Sequence, residues 1–118
     1  MSMIGNVFVG LVALLHSYFL ILEMFLWDKP TGLRVFGMTP EKAAISKTLA
    51  ANQGLYNGFL VAGLVWALLR GAEGKDLKIF FLGCVIVAGL FGAITVSKRI
   101  LFVQAVPAII ALVLTLLG

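Results

Sequence analysis

His16-Ser17-Tyr18-Phe19-Leu20-Ile21-Leu22-Glu23-Met24-Phe25-Leu26-Trp27 sets a histidine and a carboxylate inside a run that otherwise belongs in lipid. An ionisable group within a membrane helix costs at least ~2.5–3.5 kcal/mol at the helix centre, so such a group marks a functional site by default. His16 and Glu23 are seven residues apart, which on a helix puts them on one face, roughly 10 Å apart along the axis. This run is the first of four. Apolar segments recur at about residues 4–27, 46–69, 77–96 and 100–117. Each is close to the ~20 residues a bilayer requires. The expected fold is therefore all-α: an integral membrane bundle of four transmembrane helices, formed as a single domain over residues 1–118.

Composition agrees. Of 118 residues, 62% are hydrophobic and 12% charged, and the mean hydropathy is +1.13. Soluble domains lie nearer ~45–50% apolar and ~25% charged. The net charge of +4 sits between the apolar runs, so it reads as membrane orientation and not as nucleic-acid binding. Cys84 is the only cysteine, which excludes an intrachain disulfide and a cysteine-based metal cluster. With no Lys or Arg before Lys29, the N-terminus reads as a retained first span and not as a cleaved signal.

The connections are short. Asp28-Lys29-Pro30-Thr31-Gly32 reads as a loop, because proline and glycine punctuate chains. Thr39-Pro40-Glu41-Lys42 carries a helix start, with Thr39 as N-cap and Pro40 at the first helical position. Arg70 to Lys75 reads as a turn, and Ser97-Lys98-Arg99 as a tight basic connection. Lys29, Arg34, Lys42, Lys47, Lys98 and Arg99 fall on one side of a four-span chain. Arg70, Lys75 and Lys78 fall on the other. Six cations against three put the termini outside and loop 28–46 in the cytoplasm.

Polar residues converge in depth. Asn52, Gln53, Tyr56 and Asn57 share one arc at the start of the second span. Gln104 opens the fourth span, where Pro107 frees the carbonyl of Val103. With Glu23 at the end of the first span, these residues imply a polar half-cavity floored by His16. The expected ligand-binding set is His16, Glu23, Asn52, Gln53, Tyr56, Asn57 and Gln104, since buried polar groups must find partners. Plainer roles compete. Glu23 can pair with Arg34, Lys98 or Arg99 at the interface. His16 can bond Asn57 between helices, and the amides can serve as packing glue. One His, one Glu and amides do not form a preferred metal set, and neither a cofactor motif nor a nucleic-acid motif is present. Gly54 and Gly58 form a small-residue face through which a homodimer is expected, with the lipid bilayer as the other partner.

His16-x-Tyr18-Phe19-x-x-x-Glu23-Met24-Phe25-x-Trp27, Arg34-Val35-Phe36-Gly37, Asn52-Gln53-Gly54-Leu55-Tyr56-Asn57, Ala88-Gly89-Leu90-Phe91-Gly92-Ala93 and Gln104-x-x-Pro107-Ala108 together resemble a bacterial membrane family catalogued as domain of unknown function 1304. The resemblance covers nearly the whole chain. It implies a small four-helix integral membrane protein and no established activity. From the residues, the leading expectation is a module that binds or transports a small amphipathic or cationic molecule, with Glu23 as counter-charge and His16 as the proton-responsive group. The rivals are a membrane-embedded acid–base enzyme, isomerase-like, using Glu23 and His16 on a lipid-soluble substrate, and a structural subunit of a larger membrane complex.

Overall fold

The computed structural model describes residues 3–95 and 98–118, and of Ile100 and Leu101 the backbone alone. Val96 and Ser97, the expected end of the third span and start of the basic connection, lie outside the described residues. The chain is all-α. Helix α1 covers Met3–Met24, α2 Pro30–Phe36, α3 Pro40–Leu69 and α4 Lys75–Thr95, with a 3-10 turn at Gly71–Gly74 before α4. After α4 come α5, Lys98–Ile100, a π-helical turn at Leu101–Ala105, and α6, Val106–Leu117. Each apolar run of the sequence lies largely on one of these helical segments.

Several boundaries differ from expectation for local reasons. α1 ends at Met24 and not at Trp27, and the chain turns there, with Leu26 N–H donating to the carbonyl of Ile21 and Lys29 N–H to that of Leu26. Pro30 does not sit in a loop but opens α2 at a position where its missing N–H costs nothing. Gly37 stops α2 in the left-handed region, at φ +61°, a conformation glycine adopts without strain. α3 begins at Pro40, six residues ahead of the expected second span. The Thr39 hydroxyl accepts from Lys42 N–H at 3.2 Å, so the N-cap read from the sequence is made. With no proline between Pro40 and Pro107, the helix runs on without interruption to Leu69. The π turn precedes Pro107, where an unpaired carbonyl is expected.

Two compact units divide the chain: Met1–Leu14 with Leu60–Gly118, and Leu15–Phe59. The first has a core of Val9, Val12, Ala13, Leu64, Leu82, Val85, Ala108 and Ala111, drawn from parts of α1, α3, α4 and α6. Gly89 lets α4 approach the π turn so closely that a Cβ there would lie 2.8 Å from that of Ala105. The second unit is built from the end of α1, α2 and the first two-thirds of α3. Among the described residues, two helical stretches, Met3–Met24 and Gly71–Thr95, are long and apolar enough to cross a membrane. Phe102–Leu117 is a shorter apolar helix.

Candidate functional site

In the unit of residues 15–59, α1 supplies Glu23 and α3 supplies Asn57. Asn57 is buried, and its Nδ2 donates to Glu23 Oε1 at 2.5 Å. The approach of the two helices makes this bond possible. Position 54 faces α1, and a Cβ there would run into the Met24 side chain and lie 3.3 Å from Glu23 Cβ. A Cβ at position 58 would lie 3.1 Å from Leu20 Cδ1. The small-residue face expected to meet a second copy is therefore filled within the chain, by α1.

Glu23 is half-buried, and among the described residues its carboxylate forms no ion pair. Asn57 satisfies one carboxylate oxygen with a neutral donor and leaves the charge uncompensated. Within this unit, the alternative pairing of Glu23 with Arg34 is not made among the described residues. His16 lies two helical turns away on α1, fully buried, with its ring edge-on to Phe19 at 5.5 Å.

The remaining members of the expected set fall elsewhere. Asn52, Gln53 and Tyr56 are exposed on the outer side of α3. Gln104 is half-buried in the π turn and belongs to the other unit. Of the arc read from the sequence, only the Asn57 edge turns toward α1. Gly54 and Gly58 lie beside that edge and decide where the helices touch.

The turn after α1 is tied to α3. Trp27 Nε1 donates to Ser46 Oγ at 3.0 Å, and Ser46 in turn donates to the Lys42 carbonyl at 2.7 Å. The Trp27 ring packs on Phe36 of α2, centroids 4.8 Å apart. Lys47 pairs with Asp28 at 3.0 Å and holds that carboxyl below the usual carboxylate range, chiefly through the hydrogen bond between them.

A second polar centre escaped the sequence reading. Lys78, counted there only among the cations that orient the chain, is fully buried in the other unit. Its Nζ donates to Asn6 Oδ1 of α1 at 2.8 Å. The correction has a visible sequence signal: Lys78, Leu82, Val85 and Gly89 form the buried stripe of α4, at the spacing of one helix face. A lysine in phase with such a stripe points inward even near a helix end. On the α4 surface, Ile79, Phe80, Gly83, Cys84, Val87, Ala88 and Phe91 line a groove of about 730 Å³. That groove is apolar and is not the polar half-cavity the sequence led us to expect.

Comparison with known proteins agrees with the sequence motifs. No solved structure matches the chain. An uncharacterized protein, YpaA, of Lactococcus lactis subsp. lactis (strain IL1403) is 36% identical over 105 residues, covering 87% of this chain and 88% of the relative. Residues 10–116, which include Glu23, Asn57 and Lys78, match the family described as "Protein of unknown function (DUF1304)", and to that family this chain belongs.

Proposed function

We propose that this chain is a four-span integral membrane protein that binds a small amphipathic cation at Glu23, as a carrier or sensor of such molecules. The observation that carries the reading is the Glu23 carboxylate, held by the neutral amide of Asn57 and matched by no basic side chain among the described residues. A carboxylate in a poorly hydrated setting must be neutralised, by a proton or by a bound cation. The bond to Asn57 leaves Glu23 Oε2 and Asn57 Oδ1 as acceptors, a pair suited to an ammonium or another donor-bearing cation. His16, on the same face of α1, would close the deep side of the site two helical turns from Glu23.

The membrane reading draws on the exposure of the apolar helices. Only 28% and 22% of the residues in the apolar windows of Met3–Met24 and Gly71–Thr95 are buried within the chain, whereas the core helix of a soluble protein is mostly covered. α3 and the α5–α6 segment would supply the other two spans. Orientation follows from charge: with Lys78 buried, six exposed cations face Arg70 and Lys75 alone, which favours termini outside and loop 28–46 in the cytoplasm.

The test is titration of tetraphenylphosphonium, a lipophilic cation, into the protein in mild detergent. Glu23→Gln retains the acceptor for Asn57 and removes the charge. Its affinity is expected to fall at least tenfold, about 1.4 kcal/mol. Equal binding by the two proteins would refute the reading.

A further inference from the structure

Within its unit, Glu23 is a half-buried carboxylate with no basic partner among the described residues. α3 turns two uncharged residues toward it. The Asn57 amide donates to Oε1, and a Cβ at Gly54 would lie 3.3 Å from the Glu23 Cβ. α2 packs instead on the turn beyond α1, where Gly32 closes on the Leu26 carbonyl. Its Arg34 is exposed and makes no pair with Glu23. Lys47 is engaged by Asp28. Lys29, Glu41, Lys42 and Tyr56 are exposed. On α1 itself, Tyr18 is exposed and His16 is buried two helical turns away.

Charge balance then constrains what the site holds when no ligand is present. A poorly hydrated carboxylate is neutralised by a proton or by a cation. The two exclude one another, because a protonated carboxyl has no net charge to offer and a cation-bound carboxylate has none left for a proton. An amide partner serves both forms. Its NH2 group donates to either, and its carbonyl accepts from a carboxylic acid O–H. Asn57 supplies no charge of its own, so the proton is the counter-ion that water provides to an empty site.

We propose that Glu23 exchanges one proton for each cation it binds: the carboxyl holds a proton while the site is empty and releases it to water as the cation enters. This rests on the reading of Glu23 as the cation site and adds the stoichiometry. Linkage makes the effect reciprocal, so a cation that expels a proton is itself expelled by protons. A proton gradient across the membrane would therefore drive cations in the opposite direction.

Calorimetric titration of tetraphenylphosphonium into the full chain in mild detergent tests this. Repeating it in two buffers of different ionisation heat counts the protons released per cation bound. The count is expected to approach one at about pH 6, with affinity falling about tenfold for each further unit of acidity. Binding that survives in Glu23→Gln should release none, and His16→Gln should still release one per cation bound. Infrared difference spectra read the carboxyl itself: adding the cation should remove a carboxylic acid carbonyl band and raise a carboxylate band. Binding without proton release, at an affinity independent of pH, would overturn the exchange and leave Glu23 as a cation site. Release that persists in Glu23→Gln and vanishes in His16→Gln would put the proton on the histidine and overturn it as well. Absence of binding to the wild type at every pH would refute the cation site itself, and the exchange with it.

Discussion

Each unit of this protein encloses one ionisable side chain bonded to an asparagine, and the two differ in what surrounds them. Glu23 of α1 accepts from Asn57 of α3 and remains half-buried. Lys78 of α4 donates to Asn6 of α1 and is fully covered. The lysine occupies the inward stripe of its helix, with Leu82 and Val85 continuing the same face. Its chemistry is spent inside the fold. The glutamate residue keeps part of its surface, and Asn57 donates to one of its two carboxylate oxygens. An asparagine contact alone therefore does not identify a binding group. Residual access together with an unmatched charge does.

The largest expected effect breaks the Glu23 side of this comparison. Gly54→Leu forces side-chain atoms into Met24 and Glu23 and should cost about 3 kcal/mol, near the top of the range for overpacking. Gly10→Leu is the internal control, because nothing lies within 4 Å of a Cβ there. Its unfolding in mixed micelles should stay close to that of the native chain. Equal losses for both would show that α1 and α3 do not meet at Gly54.

Next is the Lys78 side. Asn6→Leu removes the acceptor and should cost about 1–3 kcal/mol. Lys78→Met removes the amine as well and places an apolar chain of similar length in an apolar stripe, so it should cost less than Asn6→Leu. The same unfolding measurement ranks them. If Lys78→Met also abolished binding of tetraphenylphosphonium, the distinction between the two centres would collapse.

Smaller effects sharpen the boundary of the Glu23 unit. Trp27→Phe keeps the ring packed on Phe36 and loses the bond to Ser46, a loss of about 1 kcal/mol read by unfolding. The smallest is pH-dependent. Lys47 depresses the folded-state pKa of Asp28. The stability this confers is present above the unfolded value of ~3.9 and is lost as pH falls through the folded value. Unfolding followed from pH 6 to pH 3 should show a slight acid-side decline that Asp28→Asn flattens. A decline of the same size in Asp28→Asn would remove the ion pair from the account.

Much of this was legible in the residues. The four apolar runs, the Thr39 cap and the start of α3 at Pro40 follow from local chemistry, and the structure has them. Glu23 and Asn57 were both singled out, because a carboxylate and an amide stand out in apolar runs even where plainer roles compete. The rest required packing. A helical wheel groups Asn52, Gln53, Tyr56 and Asn57 but does not say which edge meets a neighbour. Gly54 and Gly58 settle that by admitting α1 beside Asn57. Lys78 was misread because lysine near a helix end ordinarily reaches water. Its phase with Leu82 and Val85 carried the opposite information. Gln104 shares a depth with Glu23 in the sequence but belongs to the other compact unit, and depth alone does not assign a residue to a unit.

The central claim is that Glu23 holds a cationic small molecule. A native mass spectrum of the full chain released from mild detergent, wild type beside Glu23→Gln, tests it most directly. The account predicts an added mass of a small cation on the wild type, lost in the variant while the oligomeric state stays the same. Identical spectra, with no added mass on either protein, would contradict it.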